Sequence, residues 1–127
     1  KGLGPTITEI REAVGEGFKP VEKLAFSCGR SPEFKTELKG TNRQEVLICG
    51  IETHVCVLQT VIDLINDGYK VYIPADAVAS RKLLDWEKGV NLIEKAGATV
   101  GTTETFLFQL LERAGTDEFK KISKLLK

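Results

Sequence analysis

The stretch "LICGIETHVCVLQTVIDLINDG", residues 47–68, decides the fold of this chain. It begins within a continuous apolar run, residues 45–51, which has the length and pattern of a strand buried on both faces of a parallel sheet. An amphipathic helix is predicted at residues 53–67, and Gly68 ends it. The apolar stripe of that helix consists of Val57, Leu58, Val61, Ile62 and Ile65. The stretch therefore predicts a buried strand followed directly by a helix that covers the sheet.

Strand and helix patterns alternate along the rest of the 127 residues. Further strands are predicted at residues 21–27, 69–77 and 99–102, and helices at residues 8–14, 31–40, 81–98, 103–115 and 117–127. The apolar side of helix 81–98 includes Leu83, Leu84, Trp86, Val90 and Ile93. Such alternation predicts an α/β fold in a single domain, residues 1–127.

Composition narrows the classes of partner. Lys and Arg together number 18, as do Asp and Glu, so no net charge favours nucleic acid or an anionic membrane. No apolar run approaches the roughly 18 residues that a membrane span needs. Three cysteines without a C-x-x-C spacing do not form a disulfide framework, and we expect a reducing, cytoplasmic setting. The chain lacks methionine and opens on the loop-like "KGLGPT", so we expect further sequence ahead of it.

Polar residues collect where the predicted strands end. Ligands of open α/β sheets bind beyond the carboxyl ends of the strands. At those ends lie Lys23 with Ser27, residues 50–56, Asp76 with Ser80, and residues 102–104. This edge of the sheet is the candidate site. Asp76 is equally suited to cap the following turn and to support a catalytic group, and Lys23 is, by position alone, one of many lysines.

Cys56 is the candidate nucleophile. With Thr53 as N-cap it falls in the first turn of the helix, where unpaired N–H groups and the helix dipole favour a thiolate. The same N–H groups can hold the oxyanion that forms when a thiolate attacks a carbonyl carbon. Free cysteine is also among the most buried residue types, so the alternative is a small apolar residue in the core. From the residues alone both interpretations stay open.

The other cysteines and the histidine carry weaker signals. Cys49 lies inside the apolar strand, which favours inert burial, and Cys28 lies in a loop with nothing nearby to activate it. His54 stands two residues before Cys56, so it points in another direction, and we expect a surface or substrate-facing residue rather than a base. One histidine and three scattered cysteines lack the spacing of zinc ligands, so we expect neither a metal nor a cofactor.

Three stretches resemble one family. "GIETHVCVLQTVIDLINDGYKVYIPADAVASR", residues 50–81, resembles the isochorismatase-like cysteine hydrolases, whose mark is G-x-x-T-x-x-C-V after a central strand. "EKLAFS", residues 22–27, is similar to the family's strand with a lysine before a Phe-Ser pair. "TTETFLFQLLERAGTDEFKKISKLLK", residues 102–127, is similar to the ending of the isochorismatase-domain-containing subgroup. With "KGLGPT", which also fits that subgroup, the resemblance runs the length of the chain.

The resemblance implies a hydrolase that cleaves an amide or related C–N bond of a small-molecule substrate through a covalent thioester. The implied fold is a Rossmann-like three-layer sandwich in which helices flank a parallel sheet. Cys56 maps onto the nucleophile and Lys23 onto the lysine of an Asp-Lys-Cys triad. The bond between Ile51 and Glu52 maps onto a non-proline cis peptide, and the N–H groups of Glu52 and Cys56 would bind the oxyanion. An ammonium near a thiol favours the thiolate, which explains why the triad contains a lysine.

The triad aspartate has no counterpart in these residues. In the family it follows a first strand, and a strand-helix-strand unit of roughly 30 residues or more is expected ahead of Lys1. We therefore expect an N-terminally truncated chain whose uncovered apolar surface favours homo-oligomers. The alternative is a non-catalytic subunit or interaction module of the same family. Nucleotide binding is not favoured, because no G-x-G-x-x-G or P-loop pattern follows a predicted strand.

Overall fold

A computed structural model describes residues 4–126 of the chain. The strands are β1 (Glu45–Leu47), β2 (Gly50–Ile51), β3 (Lys70–Pro74), β4 (Val78–Ala79) and β5 (Thr99–Gly101). The α-helices are α1 (Thr8–Val14), α2 (Pro32–Gly40), α3 (Leu58–Asn66), α4 (Leu83–Lys95), α5 (Thr103–Leu111) and α6 (Asp117–Leu125). A π-helical turn, Thr53–Val57, lies between β2 and α3, and 3-10 turns lie at Gly15–Gly17 and Cys28–Arg30. Residues 1–3 of the opening segment and residue 127 of the predicted final helix lie outside the described residues.

The strands form two small parallel sheets. The order of the larger sheet is β1-β3-β5, and β2 pairs with β4 in the smaller one. Val46 of β1 lies opposite Val71 of β3, and Ile51 of β2 lies opposite Ala79 of β4. Parallel neighbours need crossover connections, which α3 supplies before β3 and α4 supplies before β5. The predicted α/β arrangement of parallel strands and helices is confirmed.

The core lies between α3, α4 and the larger sheet. Val61, Ile73 and Ile93 come from these three elements and have no exposed surface. Burial of an aliphatic side chain of this size contributes roughly 1.5–3 kcal/mol relative to exposure. The buried cluster consists of Val57, Val61, Leu64, Val71, Ile73, Val78, Ile93 and Ala98. Because Val57 belongs to it, the core also anchors the π-helical turn.

The apolar run 45–51 forms two strands rather than one. The N–H of Ile48 donates to the carbonyl of Tyr72 at 3.0 Å, whereas the N–H of Gly50 donates to the carbonyl of Ala77 at 3.0 Å. Gly50 has a φ of 125°, which only glycine adopts readily. The backbone therefore leaves the larger sheet between these residues and joins the smaller one. A uniform apolar pattern could not reveal this break.

β1 is an edge strand in the part of the chain that the structure describes, since only β3 pairs with it. Leu47 is 47% exposed and Leu110 is 80% exposed. Both line a groove of about 630 Å³ beside β1, together with Asn42, Arg43, Gln44, Glu45, Val46, Tyr72, Phe106 and Gln109. The prediction that this run is buried on both faces is wrong, because no residue of 45–51 is buried and most of them are exposed.

Residues 21–27, predicted as a strand, have an irregular backbone. Within the described ranges no strand pairs with them, and Leu24 is 99% exposed. Ser27, in contrast, is fully buried, and its hydroxyl accepts the N–H of Gly29 at 3.1 Å. An alternating apolar pattern becomes a strand only where a neighbouring strand satisfies its N–H and C=O groups. The prediction of a strand here is wrong.

The predicted helices are present, some with shorter ends. α2 begins as expected, because the hydroxyl of Ser31 accepts the N–H of Phe34 at 3.4 Å. Ile62, Leu83 and Leu84, predicted on core-facing stripes, are 39%, 69% and 61% exposed. The two leucines occupy the first turn of α4, ahead of the residues that pack on the core. None of the helices within residues 4–126 combines the length and the hydrophobicity that a membrane crossing requires.

Candidate active site

Cys56 lies on the π-helical turn that follows β2. The carbonyl of Glu52 accepts the N–H of Val55 at 3.1 Å and the N–H of Val57 at 3.2 Å. The second bond spans five residues, which widens the turn relative to an α-helix. Glu52 is therefore the N-cap residue, and the prediction that Thr53 fills this position is wrong. The turn still places Cys56 where the strand ends and the helix begins.

Cys56 is neither sealed in the core nor fully exposed. Its neighbour Val57 is only 4% exposed and takes the core-facing position of the turn. The carbonyl of Cys56 accepts the hydroxyl of Thr60 at 2.6 Å. The same hydroxyl accepts the N–H of Cys28 at 2.9 Å. Thr60 thus connects the turn to Cys28, which directly follows residues 21–27.

Lys23 is partly buried, and its ammonium is bound by main-chain carbonyls. Nζ donates to the carbonyl of Phe26 at 2.8 Å and to that of Ala25 at 3.2 Å. These contacts fold the side chain back along its own segment. The bonds of Thr60 hold Cys28, five residues after Lys23, beside the Cys56 turn. The catalytic role of Lys23 stays a prediction.

A polar cluster surrounds the start of the turn. The carboxylate of Glu52, a residue 8% exposed, forms an ion pair with Nε of Arg81. Nδ1 of His54 lies 3.0 Å from the hydroxyl of Ser80. Nε2 of His54 lies 3.7 Å from Glu52 and 3.9 Å from Asp85. His54 is therefore directed towards Ser80 and α4.

The peptide bond between Ile51 and Glu52 is cis. It connects the last residue of β2 to the N-cap of the π-helical turn. The binding of an oxyanion by the N–H groups of Glu52 and Cys56 stays a prediction.

Asp76 caps a helix start. Its carboxylate accepts the N–H of Thr103 at 2.7 Å and the hydroxyl of Thr103 at 3.0 Å. The hydrogen bond from the Thr103 N–H, followed by that from its hydroxyl, holds the pKa of Asp76 below its ordinary value. The carboxylate therefore binds the first residue of α5, whereas the sequence analysis expected it to cap the turn directly after Asp76 or to support a catalytic group.

Cys49 does not have the inert burial predicted for it, because it is exposed. It lies between β1 and β2, where the backbone changes sheets. Partial removal from water and, secondly, the negative charge of Asp76 raise the pKa of the Cys49 thiol. This cysteine is therefore accessible yet holds its proton firmly. It provides an internal reference for the reactivity of Cys56.

Two residues near the turn escaped the sequence analysis: Arg81 and Gly89. A Cβ atom on Gly89 would lie 2.9 Å from the backbone nitrogen of His54, so α4 packs closely against the turn. A glycine inside a helical pattern is a signal for such close packing. No comparable signal marks Arg81, since only its contact with Glu52 distinguishes it. No group of three or more His, Cys, Asp or Glu side chains among residues 4–126 is arranged to hold a metal ion.

Comparison with known proteins gives consistent results. The isochorismatase domain model matches residues 2–105. The chain is 42% identical over 130 residues to the secreted isochorismatase effector Isc1 of Phytophthora sojae, covering 98% of this chain and 61% of that protein. It is 38% identical over 128 residues to isochorismatase domain-containing protein 2A of Mus musculus, covering all of this chain and 60% of that one. The chain thus spans about three-fifths of the length of these curated relatives.

Two solved structures share the fold. The MAR1 ribonuclease from Caenorhabditis elegans is similar with a TM-score of 0.88 at 36% identity, over 98% of this chain and 63% of that chain. A nicotinamidase/pyrazinamidase from Bacillus subtilis is similar with a TM-score of 0.66 at 25% identity, over 74% of this chain and 53% of that chain. The match at residues 2–105 includes β2, the π-helical turn and Cys56. The resemblance noted in the sequence is confirmed, and the chain belongs to the isochorismatase family.

Proposed function

We propose that this chain carries the nucleophile of a cysteine hydrolase that cleaves a small amide, or a related C–N bond, through a covalent thioester. The observation that carries the proposal is the placement of Cys56. It lies half-buried on the turn directly after β2, while Val57 takes the core position. Ligands of open α/β sheets bind at this edge.

The proposed reaction has two halves. The Cys56 sulfur attacks the carbonyl carbon of the amide, and the N–H groups of Glu52 and Cys56 donate hydrogen bonds to the developing oxyanion. The C–N bond then breaks, and the thiol proton leaves with the amine. Water attacks the thioester, the carboxylic acid departs, and the remaining water proton returns to the sulfur. An aspartate from outside these residues would move the proton, and the Lys23 ammonium would favour the thiolate.

The comparisons support an amide as the substrate class. The Bacillus subtilis structure bears the name of an amide hydrolase. The Caenorhabditis elegans structure is named a ribonuclease, which raises RNA as a substrate of that protein. This chain has 18 basic and 18 acidic residues, a balance that does not favour the phosphodiester backbone of RNA. We therefore favour a small amide and treat RNA cleavage as a control assay.

A non-catalytic subunit is the second candidate function. In the part of the chain that the structure describes, Lys23 has no carboxylate partner, and its ammonium is bound to carbonyl oxygens instead. A triad needs an acid at this place. If the whole protein contains no acid there, the same fold serves as a binding module.

We also propose a cytoplasmic, homo-oligomeric protein. The three cysteines are unpaired, which suits a reducing compartment. Leu24 and Phe26, 99% and 60% exposed, offer apolar surface to another copy. Light scattering of the full-length protein checks the assembly.

Alkylation with iodoacetamide tests the nucleophile. In the full-length protein near neutral pH, mass spectrometry should find Cys56 modified faster than Cys49, whose pKa is raised by partial burial and by the charge of Asp76. Cys56→Ser should abolish amide hydrolysis, whereas Cys28→Ser should not. Equal rates at Cys56 and Cys49 would contradict the proposed activation.

A further inference from the structure

We propose that Arg81 is a positioning residue for the Cys56 turn, acting through the carboxylate of Glu52. This inference rests on the proposed function of Cys56. Arg81 belongs to the segment between β4 and α4, and Glu52 is the first residue after β2. The ion pair between Nε of Arg81 and Glu52 joins these two segments through side chains.

The contact continues the pairing of the smaller sheet beyond its last backbone partners. β2 and β4 pair at Gly50 with Val78 and at Ile51 with Ala79. The residues that follow these two strands no longer form backbone pairs. Side-chain contacts connect them instead. Besides the ion pair, the His54 imidazole reaches the Ser80 hydroxyl at 3.0 Å. Two side-chain contacts therefore hold the first residues of the turn beside the segment that follows β4.

Burial makes this ion pair matter for the turn. The side chain of Glu52 is 10% exposed, whereas that of Arg81 is 85% exposed. A buried carboxylate without a cation is strongly unfavourable, so loss of Arg81 would drive the Glu52 side chain towards water. In residues 4–126 the other carboxylate oxygen has no hydrogen-bond partner, and Nε2 of His54 lies 3.7 Å from it, so the guanidinium is the closer of the two basic groups.

Movement of Glu52 would move the groups proposed to act on the substrate. Its carbonyl accepts the two hydrogen bonds that shape the turn, from Val55 and Val57. Its N–H is one of the two donors assigned to the oxyanion. α4 also restricts movement of the turn, because Gly89 packs on the backbone of His54. In this proposal Arg81 contacts neither the Cys56 sulfur nor the N–H groups that would bind the oxyanion. It acts by holding Glu52 in position.

The experiment compares Arg81→Met with Arg30→Met in the full-length protein. Arg30 is a matched control, since its Nε also pairs with a carboxylate, that of Asp63, at 3.0 Å. Two readouts are followed: the iodoacetamide rate at Cys56, and deuterium uptake by a peptide spanning residues 52–57. Arg81→Met should slow alkylation about tenfold to a hundredfold, the size of effect that small misplacements have on reactions. It should also raise deuterium uptake, while Arg30→Met changes neither.

A double variant separates positioning from charge neutralisation. Glu52→Gln with Arg81→Met removes both charges, so the thermal midpoint should recover relative to Arg81→Met alone. If Arg81 only neutralised a buried charge, alkylation at Cys56 would recover as well. We expect it to remain slow, because the contact between the two segments is still absent. Recovery of both quantities would overturn the inference.

Two failures can be distinguished. If Cys56 in the unsubstituted protein reacts no faster than Cys49, the proposed function fails, and deuterium uptake over residues 52–57 still decides the inference about Arg81. If Cys56 is fast and Arg81→Met alters neither its rate nor the uptake, only the inference is overturned. Should Arg81→Met not fold, Arg81→Lys takes its place, because lysine keeps the charge but lacks the planar guanidinium.

Discussion

The hydroxyl of Thr60 donates a 2.6 Å hydrogen bond to the carbonyl of Cys56, four residues earlier in the chain. The same oxygen accepts the N–H of Cys28 at 2.9 Å. Thr60 is 4% exposed, so water cannot readily replace these partners. Two segments far apart in sequence are thus joined by one side chain of α3.

Thr60→Val should destabilise the protein. Valine matches the shape of threonine but leaves the N–H of Cys28 without an acceptor, which costs about 1–3 kcal/mol when the group is buried. Urea unfolding followed by circular dichroism measures the change in the free energy of unfolding. Thr60→Ser keeps the hydroxyl and should retain most of the stability. A larger loss in Thr60→Ser than in Thr60→Val would show that the methyl group, not the hydrogen bonds, matters.

Gly89→Ala should also destabilise the protein. The added Cβ would lie 2.9 Å from the nitrogen of His54 and 3.0 Å from Cγ2 of Thr53, so α4 would have to move away. Overpacking of this kind costs about 1–3 kcal/mol. Gly40→Ala is the control, since nothing lies within 4 Å of its Cβ position at the end of α2. A loss of similar size at both sites would contradict close packing as the cause.

Asp76→Ala should make stability less dependent on pH. The hydrogen bonds from Thr103 lower the pKa of Asp76 in the folded protein. Its stabilising effect is therefore complete above the ordinary aspartate pKa of about 3.9 and is lost as pH falls through the folded value. The difference in unfolding free energy between Asp76→Ala and the unsubstituted protein should be largest near neutral pH and shrink in acid. A difference that stays constant from pH 7 to pH 2 would exclude this role.

Asp76→Asn should speed the alkylation of Cys49. The negative charge of Asp76 contributes, after desolvation, to the raised pKa of this thiol. Removal of the charge increases the thiolate fraction at pH 8, and we expect an increase of about twofold to fivefold, as for an exposed charge pair. Mass spectrometry of the modified peptides measures the rate, with Cys28 as the internal control. An unchanged rate at Cys49 would leave desolvation as the sole cause.

The sequence was sufficient for features that depend on local pattern. The order of the helices, the cap at Ser31 and the position of Cys56 after a strand all follow from periodicity and punctuation. The side-chain contacts of Glu52 with Arg81 do not, because the two residues are brought together only by the parallel pairing of β2 and β4. A single sequence carries no direct sign of such a pairing.

The sequence-based predictions were wrong where burial depends on contacts with distant parts of the chain rather than on the local pattern. The exposure of Leu47 and Cys49 reflects an uncovered edge, although their sequence suits an internal strand. Residues 21–27 have the alternation of a strand and find no strand to pair with in the described part. The prediction of Thr53 as N-cap was wrong because the π-helical turn moves that position to Glu52.

The unpaired edge of β1 also affects the tendency of this protein to aggregate in solution. Its outward amide and carbonyl groups are a ready template for a strand of another molecule. The charges of Glu45 and Lys70 disfavour such pairing between molecules, but the side chain of Leu47, close to them on β1, is exposed to solvent. We therefore expect these 127 residues to aggregate through β1 at high concentration. Leu47→Lys is the first substitution to make for better solubility.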